Sequence, residues 1–175
     1  GTRKFRPTLY DFLAHRAVDF YMNEEPDIIR PAYKFELNSE SYFWNAADFS
    51  KLKIESSDTL SSKLYAIRIL QDLTAFHLDD DNPEALIDVD LKRLQFVKNK
   101  SVSGIRDSLY LTSLQELEQK YDATPASAEI NYGIAKVYMA KAATYNPLQS
   151  EENKWYNKKA LELCESVIKK YPGTY

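Results

Sequence analysis

Apolar residues recur along this chain at the i, i+4, i+7, i+11 spacing of an α-helical stripe, and one such stripe is repeated. It reads Ala66, Leu70, Leu73, His77, then Tyr110, Leu114, Leu117, Tyr121, then Ala160, Cys164, Val167, Tyr171, the last closed by Pro172. Successive copies are offset by 44 and 50 residues. A period of that length is the mark of stacked helix pairs, which present surfaces to partners more often than they do chemistry.

The pattern predicts six helices. The first starts at Thr8, where Thr8-Leu9-Tyr10-Asp11 resembles a capping box. It places Leu9, Phe12, Leu13, Ala17, Phe20 and Tyr21 on one inward face, and Asn23-Glu24-Glu25-Pro26 ends it. The second runs from about Asp58 to His77, with Leu60, Leu64, Ile67, Leu70, Leu73 and Phe76 inward. Asn82-Pro83 opens the third, whose stripe is Leu86 or Ile87, Leu91, Leu94 and Val97. Ser103-Gly104 separates it from the fourth, with Ile105, Leu109, Leu114, Leu117 and Tyr121. Thr124-Pro125 opens the fifth, with Ile130, Ile134, Ala135, Val137 and Tyr138, and Asn146-Pro147 closes it. Ser150-Glu151-Glu152 caps the sixth, with Trp155, Ala160, Leu161, Cys164, Val167 and Ile168; Pro172-Gly173 stops it. They pair as one-two, three-four and five-six.

Between the first two helices, residues 24–57 hold no helical period, and Pro26 and Pro31 break it. Tyr33, Phe35 and Leu37 alternate with Lys34 and Glu36, which suits a short strand or an extended arm. Tyr42-Phe43-Trp44 follows. A structureless loop of this length inside a compact domain is unusual and often functional. The plainer reading is that its aromatics staple the arm to the helices; the functional one makes Tyr33, Phe35, Tyr42 and Trp44 binding residues.

Composition narrows the choice. The 175 residues are enough for one domain with a real core, and 44% hydrophobic with 28% charged residues is globular. Net charge is −3 with no Lys/Arg cluster, which argues against nucleic acid and anionic membrane surfaces. No apolar run approaches the roughly 18 residues of a membrane span. A lone cysteine, Cys164, excludes an internal disulfide. The chain opens Gly1-Thr2 without Met and reads as a piece cut from something longer, so the lack of a signal peptide says nothing about export.

Helices five and six resemble a tetratricopeptide repeat. Ile134-Ala135 and Tyr138 sit where its first helix wants a large residue, a small one and a Tyr. Ala160, Cys164, Val167 and Pro172 match the second helix, with extra residues inserted between Tyr138 and Ala160. The other pairs match less well, since Tyr110 replaces a small residue and the arm splits the first pair. A second resemblance rests on Pro7-Thr8-Leu9-Tyr10-Asp11-Phe12-Leu13-Ala14-His15-Arg16-Ala17, on Pro31-Ala32-Tyr33 with Phe35, and on Asp88-x-Asp90-Leu91-x-x-Leu94-x-Phe96-Val97. These segments resemble the N-terminal helical region of large bacterial alpha-2-macroglobulin-like proteins. That resemblance implies an exported, periplasmic or envelope-associated setting and an accessory helical module beside a protease trap. The family's thioester element, Cys-x-Glu-Gln, is absent: Cys164 is followed by Glu165-Ser166-Val167.

Candidate chemistry is sparse. Asp11, His15 and Asp19 are spaced i, i+4, i+8, and two carboxylates flanking a histidine could orient a base or hold a metal. Only His77 could join them, if the fold brings it close; the plainer reading is a capping Asp and a polar helix edge. Asp79-Asp80-Asp81-Asn82 lacks the Gly of a calcium loop and has Pro83 at a ligand position, so it reads as charge at a helix start. Asp88 and Asp90 are too close in helical phase to face each other across a cleft. Cys164, on an apolar stripe, reads as a buried structural thiol. There is no Gly-rich phosphate loop, Ser elbow, HExxH or CxxC spacing.

The expectation is therefore an all-α fold: antiparallel helix pairs stacked as a short tetratricopeptide-like superhelix, one domain over 1–175, with an irregular arm at 24–57. The expected function is a non-catalytic protein-interaction or scaffolding module of an alpha-2-macroglobulin-like protein. No catalytic residue, metal or cofactor is expected, and the partner is a protein or the rest of the parent chain. The alternatives are a glycan-binding helical module of an outer-surface lipoprotein, or an all-α enzyme using His15 or His77.

Overall fold

The computed structural model describes residues 4–23 and 32–172. Among them the fold is all-α: α1 (Leu9–Met22), a 3₁₀ turn (Glu40–Phe43), α2 (Ala46–Phe49), α3 (Ser62–His77), α4 (Glu84–Lys100), α5 (Arg106–Tyr121), α6 (Ser127–Ala142) and α7 (Tyr156–Lys170). No helix is long and apolar enough to cross a membrane among the described residues. The chain divides into two compact units, Gly1–Tyr110 and Leu111–Tyr175.

In the first unit, α1 packs on α3 and α3 packs on α4. Helix α1 begins as its sequence dictates. Thr8 Oγ1 accepts the Asp11 backbone N–H at 3.2 Å, and the Asp11 carboxylate accepts the Thr8 N–H at 2.8 Å, a reciprocal capping box. Asn82 caps a turn into α4 by accepting from the Glu84 N–H. The repeated stripe faces inward: Ala66, Leu70, Leu73 and His77 are buried in α3.

The expected inward face of α1 is overturned. Leu9, Phe12, Leu13 and Phe20 are exposed, whereas Asp11, Ala14, His15 and Val18 are buried. The polar residues of α1 find charged partners on and beside α3 and α4, which offsets part of the cost of burying them, and the bulky stripe lies on the opposite side of the cylinder. Leu60 and Phe76, also expected inward, are exposed as well.

Among its described residues the arm forms no strand. Of its alternating residues, Phe35 and Leu37 are buried and Tyr33 is exposed; Leu37 makes one isolated parallel bridge to Ser101. The 3₁₀ turn and α2 then fold residues 40–49 onto the helices, with Phe43, Ala46 and Phe49 buried. Pro26 and Pro31 lie outside the described residues.

In the second unit, α6 packs along α7. Leu114 packs against α6 beside Gly133, where an added Cβ would sit 3.5 Å from Leu114 Cδ1, an ordinary van der Waals separation. Ile130, Ile134 and Ala135 of α6 and Ala160 of α7 are buried, but Leu161 and Ile168 are exposed. Helix α7 starts later than its sequence suggests. Ser150 Oγ caps only a turn, by accepting the Glu152 N–H, and Asn153 takes a positive φ of 65°, which interrupts any helix begun at 150. The end of α7 is tied to Asp122, which accepts from Lys170 Nζ and from the Tyr171 hydroxyl.

Candidate functional site

The first unit contains two buried polar assemblies. One joins α1 to α3 and α4; the other fastens the arm.

In the first assembly, the Asp11–His15–Asp19 edge of α1 meets His77, which sequence offered only on condition. His77 Nε2 lies 2.6 Å from Asp11 Oδ1 and its Nδ1 lies 2.7 Å from Asp80 Oδ2. Each ring nitrogen thus lies within hydrogen-bond distance of a carboxylate oxygen. Burial alone would raise the Asp11 carboxyl, but the Thr8 hydroxyl, the Thr8 N–H and the His77 ring outweigh it and hold the carboxyl below its ordinary range.

His15 has the opposite character. Lys92 Nζ, which can only donate, sits 3.4 Å from His15 Nδ1 and also donates to Asp19 Oδ1 at 2.6 Å. The ring proton therefore belongs on Nε2, which is 3.7 Å from Asp88 Oδ2, too far for a hydrogen bond. Desolvation first, then the cations of Arg6 and Lys92, push His15 down to about 4, against the weaker pull of Asp88 and Asp11. Arg6 and Lys4 extend the assembly by pairing with Asp88 and Glu84.

Both imidazoles are 1% exposed. A general base must reach the proton it abstracts, and a metal ligand needs a free nitrogen lone pair. His77 has both nitrogens committed to carboxylates, and His15 is capped by an ammonium. What this arrangement does is lock α1 in place with neutralised charge. No cluster of His, Cys, Asp and Glu suited to a metal occurs among the described residues. Cys164 is half-buried on α7.

The second assembly centres on Arg93, fully buried in α4. Its Nε donates to Asp90 Oδ1 at 2.8 Å, Nη1 to the Tyr42 carbonyl at 2.5 Å and Nη2 to the Trp44 carbonyl at 2.9 Å. The guanidinium also lies over the Phe49 ring, 4.4 Å from its centroid. Helix α3 adds further donors: Gln71 Nε2 reaches the carbonyls of Phe49 and Leu52, and Arg68 Nη2 that of Ile54. The Phe35 N–H donates to the buried Asp58 carboxylate at 2.9 Å. An irregular segment can lie against a core only if its backbone groups find partners, and these side chains supply them.

The arm residues singled out from sequence divide into two kinds. Phe35 and Tyr42 are buried and meet edge to face, with ring centroids 6.3 Å apart. Tyr33 is 64% and Trp44 51% exposed. Sequence reasoning missed Arg93 and Gln71. The available signal was a charged residue on the stripe Leu86, Val89, Arg93, Phe96, where only apolar side chains are expected.

No protein-family model, no curated protein and no solved structure matches this chain.

Proposed function

We propose that this chain is a non-catalytic protein-interaction module whose arm presents Trp44 to a partner. The observation that carries the reading is the Arg93 fork. It fixes the backbone carbonyls of residues 42 and 44 while the Trp44 ring projects, half exposed, from that fixed backbone. Association costs least when the anchoring ring is already held in place, and tryptophan is the residue most enriched at binding hot spots. Tyr33 is the second exposed ring of the arm, while Phe35 and Tyr42 serve as its staples. Asp11, His15, His77 and Asp90 make internal contacts, which supports this reading. By its resemblance to alpha-2-macroglobulin-like proteins, the setting we propose is an exported, envelope-associated one, with another protein or the rest of a parent chain as partner.

Trp44 can report on its own binding. The chain has two tryptophans, so a Trp155→Phe background leaves Trp44 as the single emitter. Peptide and glycan arrays probed with this variant should yield peptide ligands that shift its emission. Trp44→Ala should weaken them by about 1–3 kcal/mol with the melting temperature unchanged. Hits confined to sugars would move the reading to a glycan binder, and equal losses of binding and stability would reduce Trp44 to a staple.

A further inference from the structure

Helix α1 is built inside out for a surface helix. Its buried residues, Asp11, Ala14, His15 and Val18, include two ionisable ones, while Leu9, Phe12, Leu13 and Phe20 point away from α3. At 100° per residue, Leu9, Phe12, Leu13, Arg16 and Phe20 fall within one arc of about 100°, the width of stripe a helix ordinarily buries. Leu9 is 72% and Phe20 73% exposed. On the α3 side the stripe continues into the half-exposed rings of Tyr10 and Phe76, in edge contact at 5.0 Å, and into Tyr21 stacked on Tyr65. A contiguous exposed apolar patch of this kind on a folded chain is often functional.

We propose that the outer face of α1 is the docking site of an amphipathic partner helix that carries a carboxylate opposite Arg16. Two properties select this occupant. The first is shape. The anchors follow i, i+3, i+4, i+7, i+11 along three helical turns, the register of a second helix laid along the first, and the aromatic wall on α3 limits one flank. The second is charge. Arg16 lies in the middle of the stripe, a turn from both Phe12 and Phe20, with its guanidinium 5.8 Å from the Phe12 ring centroid and no ion pair among the described residues. Covering that cation without a counter-ion would leave it desolvated and unpaired, so a cognate surface must bring an acid. A second copy of this chain fits less well. An antiparallel α1 pair would place two Arg16 side chains on one seam, and the nearest acid of α1, Asp19, is already taken by Lys92. This surface does not include Trp44 and stands independently of the arm.

The test uses the whole 175-residue chain and two designed helical peptides. Each has an apolar stripe, and they differ only in a Glu or a Lys at the stripe's centre; binding is read by fluorescence anisotropy. The Glu peptide should bind at least about tenfold more tightly than the Lys peptide, a difference well resolved on an affinity scale. Arg16→Glu should invert that preference, and Leu13→Asp should abolish binding of both while leaving the circular dichroism and melting midpoint unchanged. Equal affinity for the two peptides, or no binding of either, overturns the proposal. Unfolding by Leu13→Asp also overturns it, because the stripe would then belong to the core. A wild-type dimer in sedimentation that Leu13→Asp dissociates overturns it too, in favour of a second copy.

Discussion

Asp11 is shared between two helices: one carboxylate oxygen closes the capping box of α1 through Thr8, and the other lies 2.6 Å from His77 Nε2 at the end of α3. The start of one helix is thereby fastened to the end of another through a single fully buried side chain. Removing either half separates the effects. Thr8→Ala leaves the His77 contact and should cost about 1 kcal/mol, the worth of an N-cap. Asp11→Ala removes the cap, strands His77 between an empty site and Asp80, and should cost about 3–5 kcal/mol. Chemical denaturation of the two variants checks the ranking, which fails if the two losses are equal.

The same interface predicts a response to acid. His15 is held near 4 when folded, against 6.5 when free. A proton therefore binds the unfolded chain more readily, so stability is complete above pH 6.5 and falls as the pH drops from there through 4. A shift of that size corresponds to roughly 3 kcal/mol. The groups facing His15 are Arg6, Asp11, Asp88 and Lys92; burial first, and then the two cations, make its protonation costly. Asp11, held below 3.8, adds a separate loss only below that value. Urea midpoints at pH 7, 5.5 and 4 should fall in that order. A His15→Gln variant should flatten the decline between 6.5 and 4; an unchanged slope in that variant would assign the acid sensitivity elsewhere.

How much of this was readable beforehand follows from what each feature depends on. Helix positions depend on local signals, the Thr8 box, Asn82-Pro83 and apolar periodicity, and these sufficed for the all-α fold. The face of α1 depended on something periodicity cannot weigh: whether polar residues would find partners far along the chain. Asp11 and His77 are 66 positions apart, and Lys92 lies 73 from Asp19. Without those partners the apolar stripe is the only rational core face; with them the buried face can be polar. The arm posed the same difficulty. Its Phe35 and Tyr42 looked the same in sequence as Tyr33 and Trp44, and which rings turn inward depends on long-range packing that local pattern does not carry.

Arg93 is the residue on which the arm's position most depends. Truncation by Arg93→Met would leave Asp90 buried without its cation and leave the Tyr42 and Trp44 carbonyls without their donor. We expect a loss of about 3–5 kcal/mol, against about 1–2 kcal/mol for Asp90→Asn, which keeps a hydrogen-bonding oxygen beside the guanidinium. Amide exchange over residues 40–54 should rise more in Arg93→Met than exchange in the second unit. Uniform loss across the chain would deny the arm its special dependence.

Gly133 gives a prediction of opposite sign. It lies inside α6, where glycine carries a penalty of about 1 kcal/mol relative to alanine. The close approach of Leu114 suggests that a side chain would not fit, but an added Cβ would meet Leu114 Cδ1 at 3.5 Å and Cδ2 at 3.8 Å, ordinary van der Waals separations. Nothing must move, so the gain in helix propensity should survive. Gly133→Ala should raise stability by about 0.5–1 kcal/mol, whereas Gly133→Leu should destabilise by driving a bulky group into the Leu114 side chain. Thermal melts of the two variants decide it. A destabilised alanine variant would mean that the contact between α6 and Leu114 is tighter than its distances indicate.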